Sequence, residues 1–267
     1  MRDGKALKIA VTGKGGVGKT FVAAGLAYFL ANRNFRVIAI DADPTPNLAL
    51  TLGIPREKAA EIVPVSENKK LIEEKTGTGF SGVYRLSFTV DDVVRDFSYP
   101  SPLGVNLLVM GTVRSAGSGC MCPANAVIRA LLRHLIVERD EAVILDMEAG
   151  IEHLGRGTAR HVDLMLAVAD SNLKALETAG KIAKLASDMQ IEKVFLVGNK
   201  VSNRLEEEAI AKFASEARIK LLGFIPYDEK ILEADRLGKS PFLCAADASA
   251  VRALMKLGEK LLSYQCM

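Results

Sequence analysis

The sequence predicts an α/β fold in which a mainly parallel, twisted sheet carries helices on both faces. Three observations point there. Apolar strand-like runs alternate with helical patterns along nearly the whole chain. Most of those runs are continuous stretches of Val, Ile and Leu rather than clean apolar–polar alternations, so both of their faces are expected to be buried. The first run feeds a glycine-rich turn that opens directly into a helix. Strands joined in sequence by helices favour parallel pairing through crossover connections.

Taken in order, the first strand is Lys8–Thr12. It leads into Gly13-Lys14-Gly15-Gly16-Val17-Gly18-Lys19-Thr20 and then a helix near Thr20–Asn32. Further strands are expected at Arg36–Ile40, Val105–Met110, Ala142–Asp146, Leu164–Ala169, Lys193–Val197 and Leu221–Ile225. Helices are expected near Pro123–Arg139, Leu173–Met189, Arg204–Ala217 and Asp247–Leu262. The stretch Arg56–Pro102 is less regular and reads as an insertion of helices and loops over about residues 57–102. With no internal repeat, low-complexity tract or interdomain linker, residues 1–267 read as a single domain.

Composition narrows the functional classes. At 267 residues, 49% hydrophobic and 25% charged, the chain is an ordinary globular one with ample core. A net charge of +3 gives no electrostatic reason to expect nucleic acid or a membrane surface as partner. No apolar stretch approaches the roughly 18–20 residues of a membrane span, and Met1-Arg2-Asp3-Gly4-Lys5 lacks a secretion signal's apolar centre. A cytoplasmic location is expected. Four cysteines in a chain of this length do not make a disulfide scaffold, and a reducing compartment favours metal or redox roles for them.

The chemistry concentrates at strand ends. In residues 13–20 the glycines let successive N–H groups face one anion, and the helix N-terminus adds a favourable dipole. The strand–loop–helix context is that of a phosphate loop. Its binding residues are Gly15, Gly16, Val17, Gly18, Lys19, Thr20 and Phe21, with Lys19 reaching the β/γ-phosphates and the Thr20 hydroxyl ligating Mg²⁺. Lys14 has no role in the plain one-lysine pattern. The second strand ends in Asp41-Ala42-Asp43-Pro44, where Asp43 can orient or deprotonate an attacking water and Asp41 can support the Mg²⁺ shell or the loop; both can also simply cap the turn. Asp146, closing an apolar strand, is placed to hold Mg²⁺ through water. Gly150 beyond it gives freedom to contact a γ-phosphate, and His153 reads as a structural or surface residue, with contact to a metal or to this segment as the alternative. Late in the chain, Asn199 offers a donor and an acceptor for an adenine edge or, alternatively, a helix cap. Pro226 and Tyr227 end the last strand, where backbone groups meet a base, although Tyr227 can equally be a packed aromatic.

Gly119-Cys120-Met121-Cys122-Pro123 sets two thiols at the start of a helix, a position that favours the thiolate. Two sulfurs cannot complete a four-coordinate site. A two-fold symmetric homodimer supplies four, which suit tetrahedral Zn²⁺ or square-planar Ni²⁺. A buried pair, a redox pair and Fe–S ligands are the alternatives. Cys244 and Cys266 read as core and tail residues.

The two-lysine loop resembles the deviant Walker A group of P-loop ATPases, which includes partition and septum-site ATPases, nitrogenase iron protein and arsenite-pump ATPase. In order along the chain, Asp41-Ala42-Asp43-Pro44, Cys120-Met121-Cys122, Asp146 to Leu154, Arg156-Gly157-Thr158-Ala159 and Ile225-Pro226-Tyr227 are similar to the nickel-insertion accessory ATPases of carbon monoxide dehydrogenase. The acetyl-CoA synthase maturation ATPases are close relations. The resemblance covers about Lys8 to Leu262. It implies a P-loop NTPase fold of the SIMIBI type, hydrolysis of ATP to ADP with Mg²⁺, Asp43 as the catalytic carboxylate, and Lys14 reaching across a homodimer to the other subunit's nucleotide. It further implies Ni²⁺, or Zn²⁺ in its place, at Cys120 and Cys122 of both subunits, for delivery to a client nickel enzyme, carbon monoxide dehydrogenase or acetyl-CoA synthase. Asp-Met-Glu-Ala-Gly at 146–150 departs from the family's Asp-x-Pro-Pro-Gly. Rival readings are an Fe–S-bridged reductive ATPase, a partition or positioning ATPase, which predicts a basic patch or a C-terminal basic amphipathic helix, and an oxyanion-pump ATPase, which usually needs a duplicated chain where 267 residues hold one copy.

Overall fold

The computed structural model describes residues 6–43, 45–79, 85, 89–111, 123–138, 141–148 and 161–264. Among the described residues eight strands form one sheet: β1 (Leu7–Gly13), β2 (Val37–Asp41), β3 (Tyr99–Pro100), β4 (Val105–Val109), β5 (Ala142–Asp146), β6 (Leu164–Ala169), β7 (Val194–Val201) and β8 (Lys220–Pro226). Their order is β3-β4-β2-β5-β1-β6-β7-β8, and every pairing is parallel except that of β3 with β4. The seven expected strands are present. The added strand β3 is a two-residue antiparallel edge ending in Pro100, a residue that sheets accept only where no ladder donor is needed.

β1, β2, β5 and β6 are buried at every position, as expected of mainly apolar runs covered on both faces, and the polar Lys8, Thr12, Asp41 and Asp146 are buried with them. The helices are α1 (Lys19–Ala31), α2 (Leu48–Thr51), α3 (Arg56–Glu61), α4 (Lys69–Thr76), α5 (Asp91–Phe97), α6 (Pro123–Arg133), α7 (Leu173–Asp188), α8 (Arg204–Glu216), α9 (Glu229–Arg236), α10 (Pro241–Cys244) and α11 (Ser249–Ser263). A 3₁₀ turn at Val65–Glu67 precedes α4, and a π-helical turn at His134–Glu138 continues α6. The chain moves from β1 to β2 in one direction and from β6 to β7 in the other. Right-handed crossovers therefore put α1 and α7 on opposite faces.

α1 is apolar nearly all round because the sheet lies on one side and α11 on the other. The contact with α11 is close: a Cβ on Gly258 would stand 2.7 Å from the Phe29 ring. α11 buries Val251, Leu254, Leu257 and Leu261 against α1 and β8, so its apolar stripe faces the core. Among the described residues no helix is long and apolar enough to cross a membrane. One expectation is overturned: Cys244 is exposed at the end of α10, because Pro241 and Phe242 of that short helix take the buried positions.

Candidate functional site

Residues 14–18 link the central strand β1, which pairs with both β5 and β6, to α1. The chain runs from β1 toward β2 on one side and from β6 toward β7 on the other, so the strand order reverses at β1, and ligands of such sheets bind beyond the strands' C-terminal ends at that point. Gly18 stands at φ 90° and its missing side chain leaves room for Asn199. Lys19 is buried, and its Nζ donates to the Lys14 carbonyl at 3.4 Å; the Val17 N–H donates to the same oxygen at 3.4 Å. Both bonds are long, and both donors point into the loop, where a phosphate oxygen would receive them. The Lys14 side chain is exposed.

Asp41 and Asp146 are side by side in register and almost fully buried. Asp41 accepts the N–H of Leu48 at 2.9 Å and of Asp43 at 3.2 Å. Burial pushes its carboxyl up to about 6, against those hydrogen bonds, which pull it down. Asp146 is pushed up to about 7 by burial and then by the Asp41 charge, while a hydrogen bond from the Thr20 side chain and the charge of Lys19 act in the other direction. Asp43 raises it further. Lys19, Thr20, Asp41, Asp43 and Asp146 are thus one electrostatic unit. Asp43 is half-exposed and accepts both the N–H and the hydroxyl of Thr45 at 2.9 Å. The turn-capping reading of both aspartates therefore describes their present hydrogen bonds.

The donor set suits Mg²⁺. Asp146 Oδ1 is buried without a hydrogen-bond partner among the described residues, beside the Thr20 hydroxyl, and hard oxygen donors of this kind serve that ion. No group of three or more His, Cys, Asp or Glu among the described residues is arranged to hold a metal alone. A Mg²⁺ site of one or two protein oxygens is completed by waters and phosphates.

Neighbouring strand ends are laced together here. Met110 N–H donates to Asp41 O, Ala42 N–H to Asp146 O and Met147 N–H to Val11 O, each at 2.9 Å, and Thr12 Oγ1 donates to Glu148 O at 2.8 Å. Thr12 is a contributor that the sequence reading passed over. Its place before Gly13 reads only as strand.

Asn199 is buried and donates from Nδ2 to the Val17 carbonyl at 2.7 Å. It lies inside β7, so the helix-cap alternative fails; Asn203 is the residue that caps α8. The Phe21 ring stacks on Phe242 with centroids 5.3 Å apart, which leaves its backbone as the part able to meet a ligand. Pro226 pairs with Val201, and Tyr227, 46% exposed, lies just beyond β8 without packing into the core. Cys120, Cys122, Pro44, Gly150 and His153 lie outside the described residues. The helix expected just after the cysteines does begin at Pro123.

Residues 8–242 match the CobQ/CobB/MinD/ParA nucleotide binding domain. An uncharacterized ATP-binding protein of Methanocaldococcus jannaschii is 44% identical over 254 residues, covering 94% of this chain and 96% of its own. The carbon monoxide dehydrogenase accessory protein CooC of Rhodospirillum rubrum is 43% identical over 252 residues, covering 93% and 95%. Among solved structures, a ParA family ATPase from Chlorobium tepidum superposes with a TM-score of 0.71 at 18% identity, covering 95% of this chain and 98% of its own. The cell division ATPase MinD of Pyrococcus furiosus gives 0.67 at 20% identity, covering 98% and 99%.

Proposed function

The chain belongs to the CobQ/CobB/MinD/ParA nucleotide-binding family and is an ATPase of that family, and from this premise we propose that it is an accessory ATPase of carbon monoxide dehydrogenase. In this reading it works in the cytoplasm as a homodimer of single-domain subunits, with residues 57–102 as an insertion. It takes up Ni²⁺ at paired Cys120 and Cys122 and passes it to the client enzyme. The likeness to the Rhodospirillum rubrum accessory protein carries the reading, because it runs along almost the whole chain and not only through the nucleotide-binding segments. Acetyl-CoA synthase is the alternative client.

The residues divide the work as follows. The N–H groups of residues 15–21 and Lys19 bind the phosphates, and Asn199, Pro226 and Tyr227 frame the base. Thr20 and Asp146, supported by Asp41, would hold Mg²⁺, which neutralises phosphate charge. Asp43 orients the water that attacks the γ-phosphorus and accepts its proton as ADP departs. Lys14, exposed at the crevice, reaches the nucleotide of the partner copy, so ATP favours the closed dimer. Closure gathers four thiolates around one ion, with Zn²⁺ able to take the same place. Opening after hydrolysis releases it. The coupling requires a nucleotide whose affinity differs between the two dimer forms.

Nickel titration of the metal-free protein, with and without a non-hydrolysable ATP analogue, tests this. The analogue is expected to tighten binding at one ion per dimer, and the Cys120→Ser/Cys122→Ser double variant to keep ATP and lose the metal. Identical titrations in both states would defeat the coupling. A brown, iron-containing protein on anaerobic purification would favour the Fe–S-bridged alternative.

A further inference from the structure

Asn199 and Lys200 are consecutive in β7, and in an unbroken strand their side chains would leave opposite faces of the sheet. Both instead reach the phosphate loop. Asn199 Nδ2 donates to Val17 O, and Lys200 Nζ donates to Gly16 O, each at 2.7 Å. A break in the ladder makes this possible. β7 pairs with β8 at Gly198–Phe224 and again at Val201–Pro226, so two residues of β7 stand opposite Ile225 alone. Lys200 sits within this bulge at φ 59°, a left-handed conformation that a non-glycine residue keeps only when its surroundings hold it there. Bulges beside active sites re-aim side chains in this way.

The two carbonyls belong to adjacent peptide units. In a planar trans peptide the N–H points away from the C=O. Drawing Gly16 O and Val17 O toward β7 therefore turns the N–H groups of Val17 and Gly18 to the other side. That is the side of the Lys14 carbonyl, toward which Val17 N–H and Lys19 Nζ already donate. Gly18 allows the arrangement, since a Cβ there would collide with Asn199 Nδ2.

We propose that the Asn199–Lys200 bulge is a clamp on the phosphate loop, and that Lys200 is a positioning residue of the ATPase. It presets the N–H groups that hold the β-phosphate and does not itself touch the nucleotide. The inference rests on residues 13–20 being the phosphate loop.

The test uses the full chain with calorimetric titration by ADP and by a non-hydrolysable ATP analogue, steady-state hydrolysis, and a thermal melt without nucleotide. Removing the charged hydrogen bond in Lys200→Met is expected to weaken both nucleotides alike by about tenfold or more. KM for ATP rises by the same factor and kcat stays within about twofold, with Lys200→Arg recovering much of the loss. Lys200→Gly removes the clamp while relieving the left-handed strain, so it should melt no lower than wild type and still bind ADP weakly. Unchanged ADP affinity in Lys200→Met overturns the clamp. A loss confined to the ATP analogue also overturns it, because it would mean direct contact with the γ-phosphate. A Lys19→Ala variant that binds ADP as wild type does would refute the phosphate-loop assignment itself, a result distinguishable from failure of the clamp alone.

Discussion

Asp41 and Asp146 stand opposite each other in register at the C-terminal ends of β2 and β5, two buried carboxylates with Thr20 and Lys19 beside Asp146. Without a cation between them and phosphate, such a pair opposes its own ionisation. Asp146→Asn removes one charge at nearly constant volume. The nucleotide-free variant is expected to melt at the wild-type temperature or above it. Its Mg²⁺-dependent hydrolysis should fall by about 10–100-fold, the usual loss when a partner that holds a metal through water is replaced. A lower melting temperature with hydrolysis intact would show that the carboxylate is structural.

Lys14 contributes its carbonyl to the loop and leaves its side chain exposed, whereas Lys19 is buried in the loop. The two lysines should therefore separate functionally. Lys14→Ala is expected to bind ADP as wild type does, yet to stay monomeric by sedimentation when a non-hydrolysable ATP analogue is added. Lys19→Ala loses nucleotide itself. ATP-driven dimers of Lys14→Ala would remove the cross-subunit role.

Much of this site is legible in the residues because each strand is a buried apolar run that stops at a polar one. Ile38 to Asp41 and Val143 to Asp146 announce both the strand and the aspartate at its mouth, and the observed strands β2 and β5 end there. Local pattern cannot report what the neighbouring strand imposes. Lys200 follows Asn199 as any strand residue would, and only the register against Phe224, Ile225 and Pro226 of β8 creates the bulge that turns it onto Gly16. The same holds for β3, whose two residues become a strand only by pairing with Asn106 and Leu107. Phe21 is adjacent to the loop in sequence, but its ring is claimed by Phe242, far along the chain.

Gly25 lies where α1 meets α11. A Cβ there would overlap Leu254 Cδ2 and approach Phe242 Cζ to 2.9 Å. Alanine gains about 1 kcal/mol of helix propensity over glycine, while overpacking a filled core costs about 1–3 kcal/mol. Gly25→Ala should thus be destabilising, with a lower urea midpoint at unchanged slope. Leu254→Ala empties the space that the new methyl needs, so the double variant should be more stable than the sum of the two single losses allows. Strict additivity would mean that the two helices separate to admit the methyl.

Asp228 closes two helices at once. Its Oδ1 accepts the Lys230 N–H at 3.0 Å at the start of α9, and its Oδ2 accepts the Ser249 hydroxyl at 2.7 Å and the Ala250 N–H at 3.4 Å in the first turn of α11. Burial raises this carboxyl, but the hydrogen bonds from Ser249, Lys230 and Ala250 outweigh it and hold the group below its usual range. A depressed folded value stabilises above the unfolded pKa, and that contribution disappears as pH falls through the folded one. Asp228→Ala is expected to lose about 1–2 kcal/mol near neutrality, as for a lost helix cap. The gap from wild type, measured by urea unfolding, should shrink once pH drops below about 4, where carboxylates take up protons. A gap that stays constant down to the lowest pH at which the wild type folds would assign the loss to packing and not to the ionised cap.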